Sequence, residues 1–205
     1  MRTTHTILKT ALALALGASL FGSLPANAET ATANGAGTLN AAAHLDFSIV
    51  IPRFLSFRVG TAGATIDQIT FTVPAANVGD TTPIAGTGGD AAAGSGANVS
   101  VIGNGGQITI TPTNNGGGNG LQHATLTEYI DYAQITTTSS NAGVLPAPAL
   151  SNAGGSAVTP TLNAGNVTNR QAVWTYAYAN TTVPSAGAYG TSAKGGTVTY
   201  TASMP

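Results

Sequence analysis

Apolar and hydroxyl side chains alternate along three stretches of this chain. Ile69-Thr70-Phe71-Thr72-Val73 and Gln107-Ile108-Thr109-Ile110-Thr111 are two of them. The third, Thr197 to Met204, places Val198, Tyr200, Ala202 and Met204 on one side and Thr197, Thr199, Thr201 and Ser203 on the other. A period of two with β-branched and aromatic residues predicts strands that bury one face. Leu45–Ile51, Phe54–Val59, Asn98–Ile102, Ile130–Thr136, Val158–Leu162 and Gln171–Tyr178 read as further strands. Pro52 cannot donate to a ladder, so it should mark a kink, a bulge or a switch between sheets. No stretch beyond the first 28 residues carries an apolar stripe at helical spacing. The pattern predicts an all-β fold, an Ig-like antiparallel β-sandwich of about nine short strands.

Turn chemistry separates the strands. Gly86–Gly96, Gly103–Gly106 (GNGG) and Asn114–Gly120 are glycine-rich loops. The GNGG segment, between Val99–Ile102 and Gln107–Ile110, reads as a hairpin turn. Asn141–Gly155 carries Pro146 and Pro148 and reads as a long surface connection.

The first residues follow another logic. Arg2 and Lys9 form a basic start, Ala11 to Phe21 an apolar run, and Leu24-Pro25-Ala26-Asn27-Ala28 a small-residue cleavage pattern. This is the layout of a secretory signal peptide over 1–28, cleaved before Glu29. The apolar run is too short for the roughly twenty residues of a membrane span. No transmembrane span is expected in the mature chain. Export through the Sec pathway to the periplasm, cell surface or medium is expected. The domain plan is 1–28 signal peptide, 29–43 flexible N-terminal extension and 44–205 sandwich.

Composition narrows the chemistry. Of 205 residues only 6% are charged, and there is no cysteine. From Glu29 onward four basic and seven acidic side chains give a formal net charge of −3. Such a chain has no basic surface for nucleic acid and no thiol chemistry. His44 and His123 are the imidazoles of the mature chain and lack metal-ligand spacing. Glu128 and Asp131 are its close carboxylate pair, and they read as a solvated turn rather than a glycosidase pair. The chain is therefore read as a non-enzyme, with no catalytic residues, no metal and no cofactor. Trp174, Tyr176 and Tyr178 alternate along one strand face. They read first as core and, in the alternative, as a flat glycan platform of a carbohydrate- or surface-binding module.

The closing run Gly196 to Met204 (GTVTYTASM), on an exported Thr- and Gly-rich chain, resembles fimbrial subunits of the chaperone–usher type. In that family the final strand pairs with a periplasmic chaperone, and an N-terminal extension completes the neighbouring subunit. The resemblance implies that Val198, Tyr200, Ala202 and Met204 line an assembly strand. It also implies that residues 29–43 play the part of the extension. Self-association or a periplasmic chaperone are the partners it implies. The disulfide common in such subunits has no counterpart in this chain. Leu45 to Phe54 (LDFSIVIPRF) also resembles uncharacterised exported proteins of Gram-negative bacteria. A non-enzymatic surface, fimbrial or matrix structural protein is the resulting expectation.

Overall fold

The computed structural model describes residues 30–92 and 94–205. The candidate signal peptide therefore lies outside the described residues. Strands β1 (Leu55–Val59), β2 (Ile69–Thr70), β3 (Ile84–Ala85), β4 (Thr87–Gly88), β5 (Gly96–Gly103), β6 (Thr109–Asn114) and β7 (Leu121–Gln122) come first. They are followed by β8 (Tyr129–Ile130), β9 (Ile135–Ser139), β10 (Leu150–Ser151), β11 (Gly154–Gly155), β12 (Thr168–Tyr178) and β13 (Val198–Ser203). Every strand pairing is antiparallel, and the helices among the described residues are the short 3-10 turns Ala75–Asn77 and Tyr132–Gln134. The fold is all-β. No helix among the described residues is long and apolar enough to cross a membrane.

One compact unit of the chain runs from Pro52 to Pro205. Its larger sheet is centred on β12, the longest strand. The first part of β12 pairs with β5, Thr168 opposite Gly103 through Thr175 opposite Gly96. Its last part pairs with β9 on one side and with β3 on the other. β5 in turn pairs with β1, Phe57 lying opposite Val101. A second layer is the ribbon of β6 and β13, Tyr200 lying opposite Pro112. Val158 bridges Ile110 on the far side of β6.

The two layers close on one core of Val99, Val101, Ile108, Ile110, Leu145 and Trp174. Full burial of each such side chain contributes roughly 1.5–3 kcal/mol, which sets the alternation of β5 and β12 against slippage. A second cluster, Tyr132, Ile135, Leu150 and Tyr178, continues the core, with Tyr176 and Tyr200 packed against both.

Several elements depart from the periodic reading. Leu45–Ile51 forms no strand, and its large apolar side chains are exposed. The GNGG segment is not a hairpin turn. β5 already has β1 on one edge and β12 on the other, so β6 has no edge to pair with. The glycines instead carry the chain across the core, where a methyl group at Gly103 would meet Ile108 Cδ1 and Met204 Sδ at about van der Waals contact or closer. Val158–Leu162 supplies one bridging residue. Beyond it the carbonyls of Thr161 and Leu162 accept from Arg170 Nε (2.9 Å) and Nη2 (2.7 Å), in place of a strand. Ile69–Val73 shrinks to β2, and Ile130–Thr136 is split by the turn at Tyr132–Gln134.

Candidate functional site

The C-terminal strand is the feature with most to offer a partner. Val198, Tyr200, Ala202 and Met204 are half-buried, and Thr199, Thr201 and Ser203 are exposed. The apolar face is thus turned into the chain's own core. Tyr200 packs against Trp174 in a tilted contact, ring centroids 5.2 Å apart at 59°, and its hydroxyl lies 3.1 Å from that of Tyr176. Burial, reinforced by the neighbouring Tyr176, raises the Tyr200 phenol well above its ordinary pKa. Tyr176 is raised too, by burial. Both hydroxyls stay neutral and serve as a hydrogen-bonded pair inside apolar surroundings.

The edges of β13 differ. The Asn115 N–H donates to Thr197 C=O at 3.2 Å, which fixes the phase of the ladder. In an antiparallel pair with that phase, Thr197, Thr199, Thr201 and Ser203 turn their peptide groups to β6. The N–H and C=O groups of Val198, Tyr200 and Ala202 point the other way, where no described strand pairs with them. β13 carries no charge, no proline and no bulge. Natural edges are usually guarded by one of these.

No protein-family model matches the chain, and neither a curated protein nor a solved structure matches it at a significant level. The site has to be read from its own geometry.

The aromatic row is a correction to the glycan-platform alternative. Trp174 is 0% exposed, with its indole Nε1 donating to Leu145 C=O at 3.4 Å. Tyr178 is also buried, and Tyr176 packs against both core clusters. Strand alternation does put the three rings on one face, but that face is the inner one. This row offers no flat aromatic surface to a sugar ring.

The carboxylate pair is divided between two local tasks. Glu128 accepts from the Ser185 N–H at 2.9 Å, and Asp131 accepts from the Ala133 N–H at 2.8 Å as the cap of a 3-10 turn. His123 is buried. Its Nδ1 accepts from the amides of Thr125 (3.1 Å) and Leu126 (2.9 Å), so Nε2 carries the proton and donates to Ala186 C=O at 3.1 Å. Tyr189 meets the imidazole edge-on at 4.9 Å. Its phenol is pushed up to about 12, first by desolvation and then by Glu128. Among the described residues no three acid or imidazole side chains converge.

Glu128 gives a pH prediction. Hydrogen bonds from the Ser185 hydroxyl and amide hold its carboxyl below the ordinary range. A depressed folded pKa stabilises above the unfolded value, and that contribution is lost as pH falls through the folded one. The tie between the Ser185 segment and the β7–β8 corner should therefore hold at neutral pH and loosen under acid conditions. The protection factor of the Ser185 amide, taken against its intrinsic exchange rate at each pH, should fall at the acid end. Glu128→Gln should flatten that dependence, and an unchanged profile would remove Glu128 from the role.

Proposed function

We propose that this chain is an exported, non-enzymatic β-sandwich subunit of a cell-surface, fimbrial or matrix structure that associates by β-strand addition. The observation that carries the reading is the unguarded outer edge of β13. Its row of outward N–H and C=O groups can accept another strand, with main-chain hydrogen bonds supplying affinity and alternate side chains selecting register. The low charge of the chain fits a protein that lies closely against copies of itself. The leader-like first residues support export.

A guarded edge tests it. Thr201 is exposed and turned away from the core. Thr201→Lys leaves packing alone and places a charge where an incoming strand would lie. Sedimentation of the exported protein over a wide concentration range should show association. The variant should need about tenfold more protein to associate, equivalent to about 1.4 kcal/mol. Equal association of the two would set the β13 edge aside as the contact.

A further inference from the structure

The main sheet has a second face. β1, β5 and β12 turn Leu55, Phe57, Val59, Val99, Val101 and Trp174 into the core, so strand alternation sends Arg58, Ser100 and Gln171 the other way. The register sets those three side by side: Arg58 is opposite Ser100, and Ser100 is opposite Gln171. Directly opposed residues have Cβ atoms about 4.5–5.5 Å apart, so a guanidinium, a hydroxyl and an amide form one row across three strands. Arg58 and Gln171 are exposed, and Ser100 is half-buried. Among the described residues none of the three side chains has a hydrogen-bonding or ionic partner.

The row lies in a depression of about 260 Å³ that also takes in Asn98, Ser140 and Val173. A second depression, of about 490 Å³, shares those last three residues and continues to Thr175 and Thr138. Together they make one trough from β1 across β5 and β12 to β9. At about 4.7–4.9 Å between neighbouring strands, it runs about 14 Å. Its chemistry changes along the way. The β1 end holds the charge of Arg58. The β9 end holds the hydroxyls of Thr138 and Thr175, 2.6 Å apart, and Val173 is the apolar surface between.

The charge is uncommitted. The five strands of this sheet carry two charged residues, both arginines. Arg170 donates from Nε and Nη2 to the carbonyls of Thr161 and Leu162, whereas Arg58 has its whole guanidinium open. Asp90, next to Asn98, is tied back, its Oδ1 accepting from the Asn98 N–H at 2.7 Å. One guanidinium without a second cation suits a monoanion such as a carboxylate, which its planar fork meets with two parallel hydrogen bonds. Around it stand neutral hydroxyls and amides, which donate and accept as sugar hydroxyls do. The peptide groups beneath are taken up by the ladder, so this face has nothing for a peptide main chain.

We propose that this trough binds a carboxylated polysaccharide of the uronate type. One carboxylate lies on Arg58, neighbouring hydroxyls on Ser100 and Gln171, and a sugar C–H face over Val173. The site is on the opposite face of the sheet from the buried Trp174–Tyr178 row. It goes beyond the strand-addition reading, because it needs no association between copies. A single charge gives modest affinity, and a polymer meeting several copies gains by avidity. Guarding the β1 edge would require only a charge at this position. A carboxylate clamp requires the guanidinium itself, and Arg58→Lys separates the two roles.

The test titrates the full exported chain at low salt with oligogalacturonate, with its methyl ester and with oligoglutamate, followed by calorimetry. The free acid should bind, and the ester and oligoglutamate should bind far more weakly. Arg58→Gln should weaken binding about tenfold or more, and Arg58→Lys and Gln171→Leu about threefold each. All three changes lie on exposed side chains, and far-UV circular dichroism checks that the fold is kept. Unchanged binding in Arg58→Gln would overturn the site, and unchanged binding in Arg58→Lys the clamp. Equal binding of the ester would overturn the part given to the carboxylate. Equal binding of oligoglutamate would overturn the assignment to a sugar. No binding of the free acid at millimolar concentration would overturn the proposal outright.

Discussion

Trp174→Ala should lower the stability of the domain by about 3–5 kcal/mol, the usual cost of truncating a fully buried tryptophan. The ring occupies the middle of the molecule in three senses. Its residue is opposite Ala97 of β5 and Ser139 of β9, so both neighbours of the central strand meet there. Its side chain is fully buried among Val99, Val101, Ile108, Ile110 and Leu145. It also supports Tyr200, and through it the inner face of β13. Small domains have only about 5–15 kcal/mol in hand, so the variant would sit near the unfolding threshold. Trp174 is the chain's one tryptophan. Far-UV circular dichroism during urea denaturation must therefore follow the variant, and indole emission can report only on the parent. Trp174→Phe keeps most of the apolar volume and should lose far less. A variant as stable as the parent would place the ring outside the core and reopen the glycan-platform alternative.

The elements read correctly from periodicity are those that turn one face into the core. β5, β12 and β13 show their alternation in the sequence because burial imposed it. What periodicity does not contain is the identity of the neighbour. Leu45–Ile51 is rich in β-branched and aromatic residues yet forms no strand, whereas β13 is laddered, since composition is a property of the segment and pairing is a property of its surroundings. GNGG failed for a related reason. Glycine turns of the same composition serve a hairpin or a crossover, and the choice depends on whether the edge of β5 is free. The candidate edge was half legible. Its apolar residues stand out in the sequence, whereas the outward peptide groups of Val198, Tyr200 and Ala202 follow only from the phase set by the Asn115–Thr197 bond. Side-chain brackets such as Asn104 on Pro52 and Phe54, or Arg170 on Thr161 and Leu162, leave no periodic trace at all.

One such bracket should have the second-largest effect. Asn180 follows the end of β12, 1% exposed and in the left-handed region at φ 54°. Its Nδ2 donates to Asn77 C=O at 2.6 Å and to Asp80 Oδ1 at 3.2 Å, and its Oδ1 accepts from the Gly79 N–H at 3.0 Å. Its own C=O accepts from the Thr81 N–H at 3.1 Å. An amide suits this set, because its Nδ2 donates twice, to a carbonyl and a carboxylate, while its Oδ1 accepts from an N–H. The knot ties the 77–82 loop to the exit of the central strand, and the chain then enters β3, which pairs with that same strand. Asp80 belongs to it: hydrogen bonds from the Asn77 side chain and the Thr82 amide hold its carboxyl below the ordinary range. Asn180→Ala should cost about 2–4 kcal/mol, about 1–3 for the Gly79 and Asn77 groups left without partners and about 1 because alanine tolerates the left-handed region less well than asparagine does. Asn180→Gly removes the second part and keeps the first, so it should be less damaging by about 1 kcal/mol or more. That order inverts the usual advantage of alanine over glycine in a folded chain. Urea denaturation midpoints of the three proteins measure it. Glycine as damaging as alanine would mean that the backbone at 180 carries no strain. Two variants indistinguishable from the parent would mean that the knot does not hold the loop.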